Sequence, residues 1–155
     1  MTHLEILKQL ENQLNTKFKK VDISEIFDLE GEKIAQYATD KNGNITGLCI
    51  SRFGLKEIPE SLSKFKTLSN LNLYANKIND ISPLKELKQI IALNLRSNQI
   101  SDISPLKELR QITELYLSGN QISDISPLKK SKQIASLNLV NNKISDISPL
   151  KVKYR

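Results

Sequence analysis

The 155-residue chain has very few of the residues that build cross-links or metal sites. It holds one cysteine (Cys49), one histidine (His3) and no tryptophan. A single cysteine excludes an internal disulfide framework, and this pair alone leaves no cluster for a zinc site. Five scattered glycines form no phosphate-binding loop, and no Ser/His/Asp set can be assembled. The sequence therefore predicts a protein that is not an enzyme and holds no metal or cofactor.

Long hydrophobic runs are also absent. No stretch of about 18 apolar residues occurs, and charges interrupt the first residues too often for a secretory signal. We therefore expect a cytoplasmic protein with no membrane insertion. The chain is 39% hydrophobic and 26% charged, which suits one globular domain. Its net charge of +6 arises in residues 45–155, where basic residues outnumber acidic ones.

Four of the five prolines recur at a fixed spacing of 22 residues, each inside the pentapeptide Asp-Ile-Ser-Pro-Leu. They are Pro83, Pro105, Pro127 and Pro149. A fixed period of this kind predicts a solenoid, in which equal units stack on one another. The units are residues 68–89, 90–111, 112–133 and 134–155, preceded by a more divergent unit at residues 45–67.

Each of the four units from residue 68 onward follows the pattern apolar-x-x-Leu-x-Leu-x-x-Asn-x-Ile, and the unit at residues 45–67 fills the same apolar positions. This pattern resembles the leucine-rich repeat, and residues 68–155 resemble its 22-residue subclass, found in bacterial internalins and relatives of eukaryotic phosphatase regulators. Alternation around Leu71 and Leu73 predicts a short strand with leucines inward, and stacked strands form a parallel sheet. We predict a right-handed α/β solenoid of about five repeats, with this sheet on one face and short 3₁₀ turns at the Ser-Pro-Leu segments on the other.

An asparagine recurs where the chain leaves each strand of the last four units. Its amide can bond the loop backbone of adjacent units, which avoids unpaired buried groups. The predicted ladder consists of Asn76, Asn98, Asn120 and Asn142.

Residues 1–44 are predicted to form a cap, and residues 45–155 the five repeats. Leucines at helical spacing follow a capping box at Thr2 and Glu5, which predicts an amphipathic helix within residues 2–21. Asn42-Gly43 lies between two apolar strands and predicts a β-hairpin that pairs with the first repeat. No capping element follows the last repeat. Either the array is longer, or another molecule covers this end, most simply in a homodimer.

The outward strand positions vary between units whereas the scaffold hardly changes. Tyrosine and arginine among them are typical of protein interfaces. We predict a protein-binding surface at Asn72, Tyr74, Asn94, Arg96, Glu114, Tyr116, Asn138 and Val140. The predicted function is a non-catalytic scaffold that binds a protein partner through the sheet face.

Two other functions are left open. The chain could be the recognition fragment of a larger enzyme or secreted effector, or a polyanion binder that uses basic residues of the return face. Without aromatic residues between those basic positions, we expect no nucleic-acid binding. The recurring aspartates Asp80, Asp102, Asp124 and Asp146 could ligate calcium, but we expect them to bond turn N–H groups instead. Cys49 points outward from the first strand and is expected to be an incidental thiol.

Overall fold

The computed structural model describes residues 2–28 and 32–153, with the side chains of residues 151–153 left out. One α-helix, α1 (His3–Leu14), opens the chain. The strands are β1 (Lys19–Lys20), β2 (Ile34–Thr39), β3 (Ile45–Ser51), β4 (Asn70–Asn72), β5 (Ala92–Asn94), β6 (Glu114–Tyr116) and β7 (Ser136–Asn138). The 3₁₀ helices are Ile23–Phe27, Glu60–Lys64, Ser82–Glu86, Ser104–Glu108, Ser126–Leu128 and Ser148–Lys153.

The strands form one seven-stranded sheet in the order of the chain. β2 and β3 are an antiparallel hairpin, in which Tyr37 pairs with Leu48. From β3 onward all pairs are parallel, and equivalent residues of successive repeats lie side by side, as Leu71 does with Leu93. The predicted solenoid, with a sheet on one side and 3₁₀ turns on the other, is confirmed. The proposed boundary between residues 44 and 45 stays a prediction, because the sheet runs through it.

The core lies between the sheet and the 3₁₀ turns, where the inward leucines and isoleucines of all repeats form one buried cluster. Helix α1 closes its first end with Ile6, Leu7 and Leu10. The predicted capping box is present, since Thr2 and Glu5 exchange hydrogen bonds. The helix ends at Leu14, earlier than the leucine spacing suggests, because Asn15 adopts a left-handed conformation (φ 47°).

His3 joins this cap to the first repeat. Its Nδ1 accepts a hydrogen bond from the backbone N–H of Ile45 at 2.8 Å. Its ring also packs edge-on against Phe65, with the ring centres 5.5 Å apart. The lone histidine therefore has a structural role near the start of β3.

The return side of each of the last four repeats is built from an Asp-Ile-Ser-Pro turn. In the second such turn, the two carboxylate oxygens of Asp102 accept bonds from the N–H and the hydroxyl of Ser104, at 2.8 and 3.0 Å. Asp80, Asp124 and Asp146 bond their own serines in the same way. The expectation that these aspartates bond turn N–H groups is therefore confirmed, and serine is a donor inside the turn.

Replacing Asp102 by alanine is expected to lower the free energy of unfolding by about 0.5–2 kcal/mol, the usual cost of losing such an acceptor. Asp102→Asn keeps an acceptor oxygen and should stay close to the wild type. Urea unfolding of the three proteins measures the difference. An alanine variant as stable as wild type would show that these bonds contribute nothing.

The last repeat is less covered than the others. Leu137, Leu139 and Ile144 are half-buried, and Ile147 is 60% exposed. Their equivalents in the preceding repeat, such as Leu117 and Ile122, are fully buried because the next repeat packs on them. The homodimer expected at this end stays a prediction.

Candidate functional site

The 3₁₀ helix Ile23–Phe27 lies on the outer face of the sheet, a placement that the sequence analysis did not anticipate. Ile26 is fully buried there in a second apolar cluster with Ile34, Ala38 and Cys49. Its carbonyl oxygen accepts a hydrogen bond from Asn72 Nδ2 at 2.9 Å. The chain therefore covers the outer face of its own first strands, and the exposed part of that face begins further along the sheet.

Gly47 on β3 allows this close approach. A Cβ atom at this position would lie 2.6 Å from Ile23 Cδ1 and 2.7 Å from Ile26 Cγ1. These distances are far below van der Waals contact, so a larger side chain would displace the 3₁₀ helix. The missing side chain of Gly47 is thus what seats Ile23 and Ile26 on the sheet.

Cys49 is buried beneath the same helix. The expectation that its thiol points outward from the sheet is right for the face but wrong for the surroundings, because the 3₁₀ helix covers it. Burial raises the pKa of the Cys49 thiol to about 11, although Ser51 and Arg52 act in the opposite direction. Because the thiolate is the reactive form, burial makes this cysteine chemically inert at neutral pH.

Asn72 and Asn94 are almost completely buried, with 0% and 3% of each residue exposed. The prediction that both are available to a partner is therefore wrong for Asn72, and Asn94 presents only a small edge of its side chain. The Oδ1 atoms accept bonds from the N–H groups of Tyr74 and Arg96 two residues later. The side-chain amides of Asn72 and Asn94 therefore fix the backbone just after each strand, where Tyr74 and Arg96 are presented. Asn138 makes the same bond to Val140 but is half-buried.

A tyrosine lies between two arginines at the ends of β3, β4 and β5. The guanidinium of Arg52 is 5.0 Å from the Tyr74 ring centre, and that of Arg96 is 6.0 Å away. Arg96 Nε also donates to the Ser118 hydroxyl at 3.1 Å. Arg52 adopts a left-handed backbone conformation (φ 62°) directly after its strand. Stacking and hydrogen bonding thus hold Tyr74 and Arg96 in defined positions before any partner arrives.

A groove of about 460 Å³ runs between the 3₁₀ helix Ile23–Phe27 and the middle of the sheet. The Phe27 and Tyr116 rings contact each other at a tilt of 59°, with their centres 6.3 Å apart. The Tyr116 hydroxyl donates to Glu114 Oε2 at 3.0 Å. We define the binding groove by its lining residues, which are Ile23, Ser24, Phe27, Asn70, Asn94, Arg96, Glu114 and Tyr116.

The structure brings four of the eight predicted surface residues together: Tyr74, Arg96, Glu114 and Tyr116. Asn138 and Val140 lie on and just after β7, and Val140 is 64% exposed.

The sequence analysis missed Ile23 and Phe27. One signal was present for both, because Asp22-x-x-Glu25 repeats the spacing of the Thr2–Glu5 capping box. Glu25 indeed accepts a bond from the Asp22 N–H. That signal marks a helical turn, but it gives no indication of which surface the turn covers.

The asparagine ladder fixes the backbone directly after the strands of the site. Asn98 Oδ1 accepts from the Ile78 N–H at 3.0 Å, and Nδ2 donates to the carbonyls of Leu73 and Leu95 at 3.0 and 3.1 Å. Asn76, Asn120 and Asn142 make equivalent bonds in their own repeats. Each asparagine therefore ties one repeat to the preceding one, directly after the strands that present Tyr74 and Arg96.

Among the described helices, none combines the length and the apolar character needed to cross a membrane. Among the described residues, no group of three or more histidine, cysteine or carboxylate side chains is arranged to hold a metal ion.

Comparison with known proteins gives consistent results. The family pattern described as "Leucine Rich repeats (2 copies)" matches residues 88–130 and residues 110–152. The crystal structure of internalin C2 from Listeria monocytogenes is 32% identical over 76% of this chain and 54% of its own, with a TM-score of 0.65. A second internalin, InlF from the same organism, is 26% identical over 93% of this chain and 34% of its own, with a TM-score of 0.60.

A plant structure is also similar. A chain of the BIR3–SERK2 complex from Arabidopsis thaliana is 26% identical over 95% of this chain and 85% of its own, with a TM-score of 0.66. No curated protein shows significant similarity to the chain. The chain spans about half and about one third of the lengths of the two internalin structures. The 22-residue period, the parallel strand in every period and these matches together show that the chain is a leucine-rich repeat protein of the internalin-like type.

Proposed function

We propose that this protein is a non-catalytic interaction module that binds a protein partner through the exposed outer face of its sheet. The observation that carries the proposal is the fixed cluster of Tyr74, Arg96, Glu114 and Tyr116 beside the binding groove. Tyrosine and arginine bury large areas and still satisfy polar contacts, which is why they dominate the energetics of protein interfaces. One plant relative is itself described as part of a complex between two proteins.

The rigidity of the scaffold favours binding. The side chains of the cluster stand on β6 or two residues after β4 and β5, which pair in register, and their orientations are held by a stacked ring and two hydrogen bonds. A partner therefore immobilises few additional side chains. Each side chain that is already held avoids an ordering cost of about 0.5–1.5 kcal/mol in the binding free energy. The cytoplasmic location stays a prediction from the sequence.

Affinity capture with a triple variant tests the proposal. The intact protein and Tyr74→Ala/Arg96→Ala/Tyr116→Ala are immobilised and exposed to lysate of the native source. We expect a partner that the intact protein retains and the triple variant loses. A matched control, Lys85→Gln/Lys107→Gln/Lys129→Gln, removes three charges from the return face and should retain that partner. Urea unfolding first establishes that all three proteins are folded.

The controls separate the alternatives. Equal capture by the intact protein and the triple variant would contradict the proposal and direct attention to the return face or the last repeat. Loss in the lysine variant alone, with an affinity that falls steeply with salt, would favour the polyanion-binding function.

A further inference from the structure

Arg96 and Glu114 place opposite charges at different positions in the binding groove, measured along the strand direction. Glu114 begins β6, whereas the Arg96 side chain reaches Ser118, four residues further along the same chain segment. Residues four apart in an extended chain are separated by roughly 13 Å. A ligand in the groove thus meets a guanidinium towards one end and a carboxylate towards the other.

Arg96 is prepared to bind an anion. Its guanidinium leans on the Tyr74 ring, and its Nε is occupied by the Ser118 hydroxyl. Within residues 2–28 and 32–153 it forms no salt bridge. The two terminal nitrogens of a guanidinium held in this way can donate a pair of hydrogen bonds to one carboxylate. Because the side chain is half-buried and already oriented, little entropy is lost when that pair forms.

Part of the groove lining is apolar. Ile23 and Phe27 contribute it from the 3₁₀ helix, and the Tyr116 ring contributes it from β6. An apolar side chain placed against the exposed edges of the Phe27 and Tyr116 rings would remove them from water, which is favourable in proportion to the area covered.

We propose that the binding groove takes a short acidic segment of a protein partner, with a carboxylate on Arg96 and a neighbouring apolar side chain packed against Phe27 and Tyr116. This inference rests on the proposed function and adds the chemistry of the partner. The net charge of +6 attracts such a segment from a distance, and Arg52 adds positive charge beside Tyr74. Glu114 repels a second carboxylate at its own end, so it determines the direction in which the segment lies.

Glu114 also explains why a continuous polyanion fits poorly. A nucleic-acid strand or a sulfated polysaccharide carries negative charge at regular intervals and would place one beside the Glu114 carboxylate. A peptide can place a neutral or basic residue there instead. The occupant is therefore a peptide segment with an uneven distribution of charge.

Selection from a display library of random 12-residue peptides tests the inference on the full chain. We expect the enriched peptides to contain Asp or Glu next to Phe, Tyr, Leu or Ile. Selected peptides are then synthesised with each acid changed to its amide, and binding is measured by fluorescence anisotropy. Losing a charge-assisted pair should weaken binding by about tenfold to a hundredfold.

Three variants locate the binding. Arg96→Gln should remove the difference between the acid and amide peptides. Arg96→Lys keeps the charge without the planar fork and should recover only part of it. Lys107→Gln, the matched control, removes one positive charge from the return face and should bind the acidic peptides about as tightly as the wild type. Urea midpoints establish that each variant is folded.

The inference and the proposed function can fail separately. Peptides without an acidic preference that are lost in the Tyr74/Arg96/Tyr116 triple variant would overturn the inference and leave the sheet face as the binding surface. Peptides that bind the triple variant as well as the wild type would overturn both. Acidic peptides that bind Arg96→Gln unchanged, or a library that yields no enriched peptide, would also overturn the inference.

Discussion

Replacing Asn98 by alanine is expected to lower the free energy of unfolding by about 2 kcal/mol. The change leaves the buried N–H of Ile78 without its side-chain acceptor. It also removes one of two side-chain donors from the carbonyls of Leu73 and Leu95, which keep their bonds to Asn76 and Asn120. A buried polar group that loses its only partner costs about 1–3 kcal/mol. This is a large share of the 5–15 kcal/mol that is typical of a domain. Urea unfolding followed by circular dichroism measures it.

Asn142→Ala is the matched control for this effect. Asn142 makes the same bonds to Ile122, Leu117 and Leu139, but it is half-buried in the last repeat. Water can replace its bonds there, so we expect a loss of at most about 1 kcal/mol. Equal losses of unfolding free energy at the two positions would show that burial does not determine how much the ladder bonds contribute to stability, and would contradict this explanation.

Gly47→Val is expected to displace the 3₁₀ helix Ile23–Phe27 from the sheet and to destabilise the fold by about 1–3 kcal/mol, the usual cost of overpacking. The added side chain would occupy the space of the Ile23 and Ile26 side chains. Valine suits a strand backbone, so the loss would not come from β-sheet propensity. The stability of Gly47→Ala should lie between that of Gly47→Val and that of the wild type, because the two isoleucine side chains can shift slightly.

Cys49 reports on the displacement directly. With its pKa raised to about 11, only about a thousandth of the thiol is ionised at pH 8. Exposure to water would return the pKa to about 8.5 and raise the ionised fraction by about two orders of magnitude. Reaction with a chromogenic disulfide reagent at pH 8 should accelerate at least that much in Gly47→Val. A thiol that stays as slow as in the wild type would contradict the proposed seating of the helix.

The repeats could be predicted from the sequence because one signal occurs many times. The 22-residue spacing of Pro83, Pro105, Pro127 and Pro149 defines the period, and the alternation of leucines within it defines the strands. The hairpin at Asn42-Gly43 and the capping box at Thr2 were equally local, and both are present in the structure. Local signals of this kind do not depend on what packs against them.

The covering of the sheet face could not be predicted in the same way. Alternation places Asn72 on the outer face, but it carries no information on whether another segment lies above that face. The segment involved has only Ile23, Ile26 and Phe27 as apolar anchors, which is too short a pattern to assign to a surface. On β3, Gly47 reflects this contact because it lacks a side chain. The reason for a glycine at this position can be recognised only when Ile23 and Ile26 are in place.

Because the 3₁₀ helix covers the outer face near the first strands, the exposed face can be extended by adding repeats towards the later strands. β3 and β4 lie beneath Ile26 and the residues around it, and Phe27 reaches the Tyr116 ring on β6, whereas Val140 just after β7 is 64% exposed. Because all repeats share one register and one 22-residue period, an extra unit inserted between residues 133 and 134 would keep the ladder bonds and leave the binding groove intact. Such a unit would widen the exposed face by about 4.8 Å and leave the closed end untouched. Protein engineers could therefore lengthen the recognition surface one strand at a time without redesigning the part that starts the fold.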